Sequence, residues 1–295
     1  MKSNNNETKE YIQYNDLILD EERALYGINN ASIYKCIFDG PADGESALKE
    51  CHDISVLDCD LRLRYPLWHV TNAVIGNSRM TEGCRAALWY DKNLQLESCT
   101  ISGIKAVREC ENIIIDNCSI QSEEFGWYSK GIRIKDTKLI SEYSFLNSSN
   151  LQLDNFTLSG KYSFQYVKNV EIRNSRLDTK DAFWHAENVI ISDSIVRGEY
   201  LGWYSENLKL IRCKIIGTQP LCYAKGLVLE ECEMIDCDLA FEKSSVQATV
   251  LGSIDSVKNP TSGYIKADSI EEIIMEVVSS CKIESEKAQN TLITC

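Results

Sequence analysis

The chain has 295 residues, 44% of them hydrophobic, and a formal net charge of -13. That length and apolar content suffice for one sizeable core, and 4 Pro with 15 Gly are too few for a linker-rich, multi-domain layout. The acidic balance excludes nucleic acid and anionic membrane surfaces as partners, since phosphates call for clustered Lys and Arg. No run of 18 apolar residues occurs, so no membrane span is expected. The polar segment 1–20 does not read as a secretory signal. The 13 Cys are accordingly expected to be reduced thiols of a cytoplasmic protein.

Residues 1–30 are expected to form an N-terminal cap, with the first coil starting near Asn30. An insertion follows, Asp39-Gly-Pro-Ala-Asp-Gly-Glu45, whose Asp39, Asp43 and Glu45 are candidate oxygen ligands for a hard cation such as Ca²⁺. Asp-Gly pairs are also ordinary turn chemistry, and the spacing matches no EF-hand loop.

From Asp53 a repeat governs the chain. Asn72 lies 19 residues on, Asn93 lies 21 beyond that, and Asn112, Gly131, Asn150, Asn169, Asn188, Asn207, Gly226 and Ser245 then recur every 19 residues. Asn and Gly tolerate left-handed backbone, so this column marks a tight turn. After it each repeat alternates aliphatic and polar residues, as in Asn93-Leu-Gln-Leu-Glu97, the pattern of a strand with one buried face. Leu94, Ile113, Ile132 and Leu151 stack in one column, and Leu96, Ile115, Ile134 and Leu153 in the next. A third column runs Cys36, Cys59, Ser78, Cys99, Cys118, Thr137, with small groups suited to an interior bend.

A leucine-rich repeat fits poorly. It needs an additional Leu three positions earlier, where Asp91, Cys110, Ser129 and Ser148 stand. The expected fold is all-β, a single right-handed parallel β-helix (solenoid) of about eleven coils. At ~4.8 Å per coil it would be roughly 50 Å long. Residues 246–283 would close it as final coils and C-terminal cap, and 284–295 would be a flexible tail of this single 1–283 domain.

The second half of each coil, read as a second strand, carries the chemistry. One column holds Trp68, Trp89, Arg108, Trp127, Leu146, Gln165, Trp184 and Trp203. The adjacent column holds His69, Tyr90, Glu109, Tyr128, Asn147, Tyr166, His185 and Tyr204. Stacked aromatics stabilise parallel coils, and equally present flat faces to sugar rings. Sequence alone leaves open which columns face outward. Trp89, Trp127, Trp184 and Trp203 are candidate saccharide-binding rings. Arg64, Arg85, Lys105 and Arg108, with His69 and Glu109, form a basic cluster able to hold a carboxylate, or a solvated salt-bridge face with Glu82 and Glu124. Asp181 and His185 are a candidate acid–base pair, and His69 and Arg108 are candidates for proton removal and charge neutralisation.

The segments Glu22-Arg-Ala-Leu-Tyr-Gly27, Arg64-Tyr-Pro-Leu-Trp-His69, Cys84-Arg-Ala-Ala-Leu-Trp-Tyr90 and Asp181-Ala-Phe-Trp-His185 resemble an uncharacterised bacterial family, a domain of unknown function grouped with the pectin-lyase-like β-helices. The resemblance covers nearly the whole chain and implies that fold. By analogy it implies a carbohydrate partner, an acidic oligo- or polysaccharide handled by a lyase, hydrolase or isomerase, or bound without turnover by a scaffold. It transfers no catalytic residue. Asp178 and Asp181 share one coil instead of clustering on neighbouring coils, and no acidic calcium set stands beside an Arg. Oligomeric state is left open.

Overall fold

The computed structural model describes residues 11–41, 43–288 and 291–293. The chain winds into a parallel β-solenoid of about 14 turns, with no helix among the described residues. Six-residue strands such as Lys92–Glu97, Glu111–Asp116 and Lys130–Lys135 stack in register, with Leu94, Ile113 and Ile132 as mutual partners. Their inward columns are fully buried, Leu96, Ile115 and Ile134 among them, because period-two alternation sends every second side chain into one continuous core.

The coil count exceeds the eleven expected, and the difference lies at both ends. Ile12–Asn15 pairs in parallel with Asn29–Tyr34 at the same 19-residue offset, Ile12 opposite Ala31, so residues from Ile12 onward are a coil and not a separate cap. Residues 1–10 of the expected cap fall outside the described residues. At the other end the corner shortens and strands fuse. Ser245–Lys258 and Ser262–Met275 are 14 residues each, paired at an offset of 17 (Ser245 opposite Ser262). The period fades there because the aromatic half-coil is absent, while stacking continues. Strand Ser280–Ala288 pairs with Ser262–Met275 as far as Ala288, so the backbone of 284–288 is sheet, in place of the loose tail expected.

Two corners per coil use left-handed backbone. Asn72, Asn93, Asn112, Asn150, Asn169, Asn188 and Asn207 have φ of 54–58°, as the turn reading required. Their exposed side chains form an amide ladder. Apart from Asn150, which follows Gly131, each Nδ2 donates to the Oδ1 one coil earlier, Asn93 to Asn72 at 3.0 Å, Asn112 to Asn93 at 3.1 Å, Asn188 to Asn169 at 3.3 Å. The second corner, at Asp58, Asn77, Ser98, Asn117 and Asp136, is left-handed too. It leaves the next N–H turned inward, and the Cys/Ser column answers it. The Cys59 N–H donates to Ser78 Oγ (3.0 Å) and the Cys118 N–H to Thr137 Oγ1 (3.1 Å). These groups therefore pack, as their size suggests, and also satisfy buried backbone donors.

Candidate functional site

The aromatic half of the coil is mostly not a strand. Tyr65, Leu67 and His69 all have positive φ, as do Tyr162, Phe164 and Tyr166, and Asp181, Phe183 and His185. Alternate residues in left-handed conformation curl the backbone into an arc. This corrects the reading of a second strand, which survives only locally, as in Ala106–Arg108 and Glu124–Trp127. Inside the arc, Phe145, Phe164 and Phe183 stack at 4.9 and 4.7 Å between centroids. These buried rings anchor the arc to the core.

Outside it, the Trp column is half-buried and its polar edges are spoken for. The indole N–H groups of Trp89, Trp127, Trp184 and Trp203 donate to the carbonyls of Lys105, Tyr143, Tyr200 and Gln219 at 2.6–2.8 Å. Gln165, which takes a Trp position, makes the equivalent bond to the Asp181 carbonyl (3.2 Å). Ring faces are occupied as well. Trp68 lies on Trp89 (5.1 Å, 2°) and Trp184 on Trp203 (5.5 Å, 7°). In the outer column, Tyr166, His185, Tyr204 and Tyr223 form a continuous stack at 4.9–5.0 Å, and His69 lies on Tyr90 at 4.8 Å. A sugar stacks on ring faces, and here most faces are covered by the neighbouring coil.

The basic cluster is largely internally compensated. Arg108 stands where its neighbours have Trp, and its guanidinium sits 5.1 Å from the Trp89 ring and 5.2 Å from Trp127. It also pairs with Glu124 (3.5 Å) and Glu109 (3.8 Å). Lys105 pairs with Glu124 as well (3.8 Å). Arg64 donates to the Asp43 carbonyl (2.6 Å) and lies over Tyr65. Arg85 is exposed and has no acid partner among the described residues. Asp181 is buried, and that burial raises its carboxyl above the usual carboxylate range, with Lys180 opposing and Glu199 adding to it. His185 is exposed in the outer stack and is not hydrogen-bonded to Asp181, so the two are not assembled as a pair.

Asp39, Asp43 and Glu45, the candidate cation ligands of the insertion, are not drawn together. Asp39 is held by Arg62 at 2.6 Å and Asp43 lies 3.9 Å from Arg64, while Glu45 pairs by its backbone with Arg64. Among the described residues no three His, Cys, Asp or Glu side chains are grouped to hold a metal ion.

A wide hollow lies elsewhere, on the outer face of the long-strand sheet. It is an open trough of about 700 Å³, lined by Asn72, Asn93 and Asn112 of the amide ladder and by Val74, Gln95, Ile114 and Arg133. Adjoining hollows of about 460 and 320 Å³ carry it past Gln152 and Glu171, and Arg133 borders all three. Sequence reasoning missed this face. Its signal was there in the outward position of each strand, where Gln95, Gln152 and the exposed apolar Val74, Ile114 and Ile190 stand among Arg133 and Glu171.

Among curated proteins, no sequence matches this chain. It is similar to the solved catalytic domain of a GH87 α-1,3-glucanase in complex with nigerose, at 10% identity and a TM-score of 0.33, over 95% of this chain and 64% of that one. It is also similar to the A-module of the Azotobacter vinelandii mannuronan C-5 epimerase AlgE4, at 9% identity and a TM-score of 0.25, over 96% of this chain and 89% of that one. The chain thus spans somewhat under two thirds of the glucanase domain. The family model described as protein of unknown function, DUF3737, matches residues 12–288, nearly the whole solenoid, and the chain belongs to that family.

Proposed function

We propose that this protein is a saccharide-binding solenoid that holds an acidic oligosaccharide along the outer trough without turning it over. One observation carries the reading. The trough runs along the coil axis, is walled by hydrogen-bonding amides with intervening apolar side chains, and contains an arginine that meets no acid among the described residues. Amides pair with sugar hydroxyls, aliphatic patches accept the C–H faces, and a free guanidinium takes a carboxylate. Binding in place of catalysis is favoured because Asp181 and His185 are not paired and Arg108 is engaged by Glu124 and two rings.

The test is titration calorimetry with acidic and neutral oligosaccharides, run beside assays for unsaturated uronate and new reducing ends. Binding is expected, with no product in either channel. Filling the trough with Gln95→Trp or Gln152→Trp should weaken binding at least tenfold, whereas Trp203→Phe on the arc should not. Absence of binding to every oligosaccharide would overturn the reading, and product in either channel would overturn the non-catalytic part.

A further inference from the structure

The amide ladder lacks a side chain at Gly131 and at Gly226, and of these Gly131 is the one with an Asn on both sides. At Gly131 no side chain bridges the coils, so Asn112 Oδ1 receives no hydrogen bond and Asn150 Nδ2 donates none among the described residues. The direction of the ladder makes this a matched pair. Every bonded Nδ2 points to the coil before it, so the gap leaves an acceptor on one side facing a donor on the other, across two coil spacings of about 9.6 Å from backbone to backbone. A Cβ at Gly131 would lie 2.9 Å from Asn112 Oδ1, which shows that this oxygen leans over the open position. Two residues further along the same outward face, about 6.6 Å away, stands Arg133, exposed and without an acid partner among the described residues.

We infer that this gap is the specificity subsite of the trough, taking one uronate residue of the bound saccharide. The inference rests on the trough reading above. Two neighbouring ring hydroxyls take the place of the missing amide, one donating to Asn112 Oδ1 and the other accepting from Asn150 Nδ2. The carboxylate of the same sugar pairs with the Arg133 guanidinium, whose planar fork suits two oxygens. The protein carries net charge -13, so an anion is repelled from most of its surface and is drawn to a cation such as Arg133 that no carboxylate among the described residues answers.

The experiment uses Gly131→Asn. The backbone there has φ of +74°, in the left-handed region that Asn adopts at the neighbouring rungs, and the introduced amide would close the ladder. The variant should therefore melt at or above the parent temperature. Calorimetry with trigalacturonate, its methyl ester and a sulfated maltotriose is the readout. The parent should bind the acid at least tenfold more tightly than the ester. Gly131→Asn should lose at least tenfold for both, and Arg133→Gln should lose only the preference for the acid. Undiminished binding by Gly131→Asn would overturn the subsite and leave the trough reading standing. Binding of no probe by the parent would overturn both, and tighter binding of the sulfated sugar would overturn the uronate assignment.

Discussion

Replacing Arg108 separates a structural from a chemical role for the basic cluster. Its guanidinium fills a Trp position between Trp89 and Trp127 at 5.1 and 5.2 Å and is about one-fifth exposed. Two half-desolvated cation–π contacts contribute together about 1–2 kcal/mol. The ion pair with Glu124, itself only 21% exposed, adds about 0.5–1 kcal/mol. Arg108→Ala should therefore cost about 1.5–3 kcal/mol. For a chain of this size that is a fall in melting temperature of about 2–5 °C. Arg108→Trp should recover most of it. The ring would continue the stack, and its N–H would reach the Glu124 carbonyl, 16 residues on, as Trp89 reaches Lys105 and Trp127 reaches Tyr143. Calorimetric melts of parent, Arg108→Ala, Arg108→Lys and Arg108→Trp are the assay, with Lys expected to fall between Ala and the parent because it keeps charge but not planarity. A melting point for Arg108→Ala within about 1 °C of the parent, or a further loss in Arg108→Trp, would refute the assignment and return Arg108 to the groups free to act on a ligand.

Asp91 is fully buried, accepts the Val70 N–H at 2.8 Å, and its other oxygen has no partner among the described residues. Burial raises its folded pKa well above that of the unfolded chain, so folding favours the protonated form. Its contribution is intact below pH ~4 and is lost as pH rises toward the folded value. Asp91→Asn should consequently stabilise the protein at pH ~7, with a gain that shrinks toward pH ~4; equal gains at both pH values in denaturant titrations would contradict this. All cysteines among the described residues except Cys281 are buried, and desolvation pushes Cys59, Cys84 and Cys237 up to about 12. Native protein should thus react with an aromatic disulfide reagent at very few thiols and unfolded protein at all 13. Trp184→Phe keeps the stack on Trp203 but removes the N–H bond to Tyr200. A loss of about 1–2 kcal/mol in chemical unfolding is expected, and an unchanged midpoint would mean that this bond contributes nothing.

Legibility followed redundancy. The long strands were readable because Leu94, Ile113, Ile132 and Leu151 repeat one decision many times, and the Asn column revealed its turn because Asn and Gly share a backbone preference. The arc was not readable. Tyr65, Leu67 and His69 have no intrinsic taste for positive φ, and only bonds between coils, such as Tyr65 N–H to the Arg85 carbonyl, hold them there. Aromatic residues in such a setting look like a binding face, whereas their edges and faces are used within the stack. The trough escaped notice for the opposite reason. Its outward column, Val74, Gln95, Ile114, Arg133, Gln152, Glu171, does not repeat.

A solenoid is a set of ladders in which each side chain satisfies the one above and the one below, so a departure from the repeat is where a role can enter. Departures are of two kinds, told apart by what they leave unsatisfied. Arg108 interrupts the Trp ladder and closes it again, with both faces covered and its charge answered by Glu124. Gln165 does the same with an amide in place of an indole N–H. Gly131 interrupts the Asn ladder and leaves it open, with an acceptor, a donor and a neighbouring guanidinium unanswered at the surface among the described residues. Filled gaps maintain the stack, and an open one asks for a partner from solution. That contrast favours the trough over the aromatic arc as the binding surface, although the arc holds the residues most associated with sugar recognition.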